Sequence, residues 1–175
     1  MEPIEIYPTF IFRWNSERCS SKLNIEENGI DAKCSEGAGS FKTVMGDRVM
    51  VPGWRYRWSI TISHGSNFKI GITRDGSNLE NAFSDFPTGW AYYRTGQLRH
   101  NSNSSGPAYG ESYGAGDTIG IFFDMIEGEL SFSKNEKYFG TAYKLPEFCE
   151  GEFYPAVCVL NKDDAFRINL PIPED

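Results

Sequence analysis

From Trp54 to Ile62 a large apolar side chain stands at every second position: Trp54, Tyr56, Trp58, Ile60 and Ile62, with Arg55, Arg57, Ser59 and Thr61 between them. Successive side chains of an extended chain point to opposite faces, so this run specifies a strand with one buried and one wet side. It starts after the turn pair Pro52-Gly53. The same period returns in Phe68, Ile70 and Ile72, beyond the hairpin-length connection His64-Gly65-Ser66-Asn67, and in Ile119, Ile121 and Phe123. Leu130 and Phe132 follow Glu127-Gly128, and residues 138–143 follow the polar turn Lys134-Asn135-Glu136-Lys137. The chain closes on Tyr154, Ala156, Cys158 and Leu160, read as one inward set, then on Phe166, Ile168 and Leu170.

Helical periodicity is confined to residues 78–86, where Leu79, Ala82, Phe83 and Phe86 share a side ahead of Pro87, enough for a helical turn or two. Residues 99–116, rich in Ser, Asn and Gly, read as a surface loop. Many short strands separated by close turns describe an all-β chain, a curved two-sheet antiparallel β-sandwich. At 175 residues without an internal change of composition, this is one domain. Residues 1–9 are assigned as an N-terminal extension and 10–173 as the domain, with Pro171-Ile172-Pro173-Glu174-Asp175 marking its end.

Seventeen Lys and Arg against 24 Asp and Glu leave a net charge of −7, and no local basic stripe offsets it, which excludes a general nucleic-acid binder. No stretch approaches the ~18 apolar residues of a membrane span, so no membrane insertion is expected. Met1-Glu2-Pro3-Ile4-Glu5 lacks the basic and apolar regions of a secretory signal. A cytoplasmic chain with reduced thiols is therefore expected, and the sequon Asn103-Ser104-Ser105 is silent there. Cys19, Cys34, Cys149 and Cys158 form no CxxC pair and have no His at ligand spacing, so no metal site is expected.

Catalytic patterns fare no better. His64 stands in a turn, His100 in a polar stretch, and neither belongs to a nucleophile motif. Glu26-Glu27 and Asp163-Asp164 are adjacent pairs whose members face opposite ways in a strand, unlike a glycosidase couple. Gly37-Ala38-Gly39 and Gly114-Ala115-Gly116 lack the following helix of a phosphate loop and read as tight turns. Asp117, Asp124 and Asp163 lack the dense spacing of a calcium loop. The expectation is a non-enzymatic chain without cofactor. The alternative function is sugar binding, with Trp90 as a ring face and Arg99, His100 and Asn101 as polar donors, although the galectin pattern His-x-Asn-x-Arg is absent.

Seven segments, in order, resemble the SPRY/B30.2 domain family. Pro52-Gly53-Trp54-Arg55-Tyr56-Arg57-Trp58-Ser59-Ile60 is similar to its Y-W-E-V strand, and Phe68-Lys69-Ile70-Gly71-Ile72 to W-x-V-G-V. Gly89-Trp90-Ala91-Tyr92-Tyr93 and Leu98-Arg99-His100-Asn101 resemble the next two strands. The run from Asp117 to Asp124 resembles D-x-I-G-V-x-L-D, Gly128 to Phe132 resembles G-x-L-S-F, and Phe153 to Val157 resembles L-Y-P-A-V. The ending Leu170-Pro171-Ile172-Pro173 and the stretch Arg99-His100-Asn101-Ser102 look most like B30.2 domains of tripartite-motif proteins of the midline group. Arg13-Trp14-Asn15 departs from the family's L-D-P, and Ser59 from the Glu of W-E-V.

The resemblance implies a curved sandwich that presents loops to a protein or peptide partner, as the recognition part of a ubiquitin-ligase or cytoskeletal adaptor. No RING, B-box or coiled-coil pattern accompanies it, so ligase activity would lie elsewhere. The implied loops fall on residues 14–20, 81–86, 92–96 and 160–164. Phe83, Phe86, Tyr92, Tyr93 and Leu160 are the candidate anchors, with Arg18, Arg94, Asn161, Lys162 and Asp163 as polar partners. The isolated domain is expected to be a monomer.

Overall fold

The computed structural model describes residues 6–37 and 39–171. Ala38, the start Met1–Glu5 and the tail beyond Pro171 lie outside the described residues, so the readings placed on them are not developed further.

Thirteen strands among the described residues form two antiparallel sheets. In chain order they are β1 Trp14–Cys19, β2 Leu23–Ile25, β3 Asp31–Cys34, β4 Lys42–Gly46, β5 Arg55–His64, β6 Phe68–Thr73 and β7 Gly89–Tyr93. There follow β8 Gln97–His100, β9 Thr118–Asp124, β10 Glu129–Lys134, β11 Lys137–Lys144, β12 Tyr154–Val159 and β13 Ala165–Ile168. One sheet has the order β1-β4-β12-β6-β7-β8, and the other β11-β10-β9-β5-β13-β3-β2. The sandwich read from the alternation is the fold observed. Trp58, Ile60 and Ile62 of β5 and Ile119, Ile121 and Phe123 of β9 face Phe68, Ile70, Ile72 and Trp90 across the core. The β10–β11 turn puts both central residues in the left-handed region, Asn135 at φ 49° and Glu136 at φ 72°, as a two-residue hairpin with the right-handed sheet twist demands.

Three expectations about placement are corrected, and the helical turn expected within 78–86 is met by a short 3-10 turn. Trp54 precedes β5 and is 62% exposed, although its carbonyl still continues the ladder by accepting Met125 N–H at 3.0 Å. The set Ala156 and Cys158 faces away from the main core, which takes Val157 and Val159 of the same strand instead. Residues 78–86 contain one 3-10 turn, Phe83–Asp85. The carbonyls of Leu79 and Asn81, which a helix would turn back on itself, go to Thr43: its N–H donates to Leu79 O at 2.9 Å and its hydroxyl to Asn81 O at 2.7 Å. Finally, residues 99–116 are not one loop. Gln97–His100 is the edge strand β8, and Tyr113, whose hydroxyl donates to Tyr92 O at 2.7 Å, pins the far end, leaving an exposed stretch around 103–108.

The segment after β6 lies over the outer face of the six-stranded sheet and buries a second, small apolar cluster of Ala82, Phe83, Ala91, Ala156 and Cys158, flanked by half-buried Phe41. Small side chains are required because backbones approach closely. A Cβ on Gly89 would stand 2.1 Å from Phe83 O. The four cysteines are unpaired, and burial pushes the Cys158 thiol up to about 12. On the outer face of the seven-stranded sheet, Thr9 and Pro171 line the same shallow depression, Thr9 bridging to Arg57 of β5.

Candidate functional site

Register fixes which implied loops meet. Across the six-stranded sheet one row reads Lys42, Val159, Phe68, and the next reads Thr43, Cys158, Lys69, Tyr93, Gln97. Residues 92–96 and 160–164 therefore leave their strands at the same end of the sheet. Arg94 donates from its backbone to Phe68 O at 3.1 Å and from Nε to Asn67 Oδ1 at 3.0 Å, which keeps it half-buried at that rim. Leu160 is half-buried, while Asn161 and Lys162 are exposed.

The turn after β12 is built around Asp164, which is 2% exposed and accepts Asn161 N–H at 2.8 Å and Leu160 N–H at 3.3 Å. Burial raises the Asp164 carboxyl above the usual range, against the pull of those N–H donors. Asp163 holds a left-handed backbone at φ 71° and pairs with Lys33 at 3.4 Å. Tyr93 is half-buried, its ring 6.0 Å from that of Phe41, and Phe86 is half-buried where the 3-10 turn ends.

Two candidate anchors are corrected. Phe83 and Tyr92 are both fully buried. Phe83 fills the small outer cluster, and Tyr92 points into the main core among Tyr109, Tyr113 and Phe132, where burial lifts its phenol to about 12. Neither has surface to offer a partner. Arg18 is exposed and pairs with Asp75 at 2.9 Å, just past Thr73, the opposite end of β6 from the Arg94 rim. Six strand residues separate those ends by roughly 17 Å, so Arg18 does not join the Arg94–Leu160 group.

The sugar-binding alternative is also corrected. Trp90 is fully buried, stacked on His100 with centroids 4.5 Å apart and met edge-on by Phe148 and Phe153. Its ring face is unavailable, and Arg99 is only 4% exposed. His100 Nδ1 lies 2.9 Å from Gly89 O and His64 Nδ1 3.0 Å from Asp163 O, so each imidazole is tied to a backbone carbonyl. Among the described residues no three His, Cys, Asp or Glu side chains group to hold a metal, and no helix is long and apolar enough to cross a membrane.

The residues that sequence reasoning missed lie beside Tyr93, on the outer face. The Lys69 ammonium is 4.2 Å from the Phe41 centroid and 5.2 Å from that of Tyr93, and Lys69 is 1% exposed. Its nearest carboxylate is Asp85, 3.8 Å away, an ion pair too long for a hydrogen bond. Burial raises the Asp85 carboxyl, with Lys69 opposing. Arg99 also lies over the Tyr93 ring, 4.9 Å from its centroid, and donates from Nη1 to Leu98 O at 3.1 Å. A lysine between Phe68 and Ile70 reads as a wet side chain. Only the chain crossing above it reverses that.

In this two-sheet sandwich two of the implied loops, 92–96 and 160–164, meet at one sheet end, beside half-buried Tyr93 and its flanking cations. The SPRY domain family profile matches residues 55–173, and the chain belongs to that family. SPRY domains are generally protein–protein interaction modules. Over 101 residues the chain is 35% identical to the ATP-dependent RNA helicase Ddx1 of Drosophila melanogaster, covering 55% of this chain and 14% of the helicase. It is 24% identical over 161 residues to SPRY domain-containing SOCS box protein 3 of Xenopus tropicalis, covering 84% of this chain and 43% of that protein. The chain thus spans less than half the length of these curated relatives. In fold it is similar to the SPRY domain of human HERC1, with TM-score 0.72 at 21% identity over 89% of this chain and 96% of that one. It is also similar to the TRIM65 PSpry domain, with TM-score 0.73 at 14% identity over 93% and 91% of the two chains.

Proposed function

We propose that this domain is a non-enzymatic recognition module that binds a protein segment across the rim where β7 ends and β12 turns. Tyr93 and Leu160 supply apolar contact, and Arg94, Asn161, Lys162 and Asp163 supply polar partners; Phe86, whose carbonyl accepts Gly89 N–H at the other end of β7, stands apart from them. The observation that carries this reading is the shared register end of Tyr93-Arg94 and Leu160–Asp163, which gathers half-exposed apolar and charged groups on rigid strand ends. Arg18 belongs to a separate surface beside Asp75 and contributes least. The setting is a cytoplasmic ligase or adaptor assembly. The match to a SOCS box protein supports the ligase branch over the cytoskeletal one. The domain acts as a monomer, without nucleic acid, membrane insertion or cofactor.

The test is a pull-down from reducing cytosol with the wild-type domain beside a variant carrying Tyr93→Ala, Arg94→Ala and Leu160→Ala, both shown to be folded by circular dichroism. Proteins held by the wild type and lost by the variant support the rim. Equal capture by a folded variant refutes it.

A further inference from the structure

Buried polar atoms almost always find a partner, because leaving one unpaired away from water costs more than the bond itself returns. Four described side-chain atoms break that rule, and two of them belong to the charge group beside Tyr93: Arg99 Nε, whose guanidinium lies over the Tyr93 ring, and Asp85 Oδ1, 3.8 Å from the Lys69 ammonium. Lys69 is 1% exposed and Arg99 4%, so two cations are withdrawn from water against one carboxylate. Tyr93 and Phe41 offer their π-faces to these charges, a weaker compensation than an anion. Arg94, the other nearby cation, is occupied with Asn67 and does not turn toward the group. The rim is open where Phe41, Tyr93 and Asp85 are only partly covered, and Asp85 rides on a single 3-10 turn.

We propose that Lys69 and Arg99 form a receptor for one carboxylate side chain of a protein partner, entered beside Tyr93, with Asp85 the loosely held internal occupant of the unbound domain. A second carboxylate would balance the charge of the two cations and give Arg99 Nε the acceptor it lacks. The flat Tyr93 ring would pack against the stem of the incoming side chain. This rests on the recognition-module reading and gives its partner a chemistry, an acidic residue set beside an apolar one.

The probes are acetyl-Gly-Glu-Gly-amide, its Gln counterpart and inorganic phosphate, titrated into the isotopically labelled domain while the Arg99 Nε–H resonance is followed. The Glu peptide is expected to move that resonance saturably and to bind about tenfold tighter than the Gln peptide, as a charge-assisted bond requires. Lys69→Met should abolish the response. Asp85→Asn, which removes the internal competitor, should tighten the Glu peptide severalfold, and it keeps the proposal testable if Lys69→Met does not fold. Equal binding of the Glu and Gln peptides, preference for phosphate, or an unmoved Arg99 signal would each overturn the proposal. If the rim variant still loses its captured partner while the Arg99 resonance ignores the Glu peptide, the module reading stands and the carboxylate receptor falls.

Discussion

Phe83→Ala separates a core residue from a contact residue more cleanly than any other change in this domain. The ring is fully buried between the six-stranded sheet and the segment that crosses it. Its fully buried neighbours are Ala82, Ala91, Ala156 and Cys158, short side chains, three of them on sheet strands, which cannot swing into a void. Deleting a buried phenyl costs ~3–5 kcal/mol, the larger values arising where the surroundings cannot collapse. The upper half of that range applies here, about 4–5 kcal/mol. With a urea slope of ~2 kcal/mol per molar, the unfolding midpoint should fall by about 2 M, a large share of the ~5–15 kcal/mol that holds a domain together. Equilibrium urea unfolding followed by tryptophan fluorescence measures it. A loss below ~1 kcal/mol would refute the packing argument and return Phe83 to the surface as a contact residue.

Two other perturbations follow from local geometry. Glu136 holds φ 72° at the second position of the β10–β11 turn, where a side chain strains the left-handed backbone, so Glu136→Gly should raise stability by roughly 1 kcal/mol and the melting temperature by ~2–4 °C, while a fall in melting temperature would contradict this. Asp164 has its carboxyl raised by burial above 3.8, so as the pH climbs past that value unfolding releases a proton and the contribution of Asp164 declines. Asp164→Asn should therefore gain on the wild type in thermal melts between pH 4 and pH 7. A wild type that gains on the variant over that interval would show the sign to be wrong.

The sandwich was legible because Trp58, Ile60, Ile62, Phe68, Ile70, Ile119 and Ile121 repeat every second residue with aromatic and β-branched bulk, and that period has one structural meaning. Alternation names two faces but not what covers each of them. In β12 it could not tell Ala156 and Cys158 from Val157 and Val159, since both pairs are small and apolar and both faces are covered. Phe83 and Tyr92 were misplaced for the same reason: an aromatic residue near a loop fits a core and a contact equally well in one dimension. The charge cluster was invisible because its burial arises from chain distant in sequence, with Lys69 covered by Phe41 and Asp85. Arg94 and Leu160 were placed at the rim by the family resemblance, and register alone shows that they share one end.

The nearness of Thr9 and Pro171, which line one depression, has a consequence for how such a unit travels between genes. A polypeptide that enters and leaves a folded body at neighbouring points can be spliced into a host loop without prying the host apart. Joining the two points by a short Gly-Ser bridge and reopening the chain within the exposed 103–108 stretch would give a circular permutant with the same two sheets. On this geometry the sandwich can serve as a cassette whose two attachment points lie together on the outer face of the seven-stranded sheet.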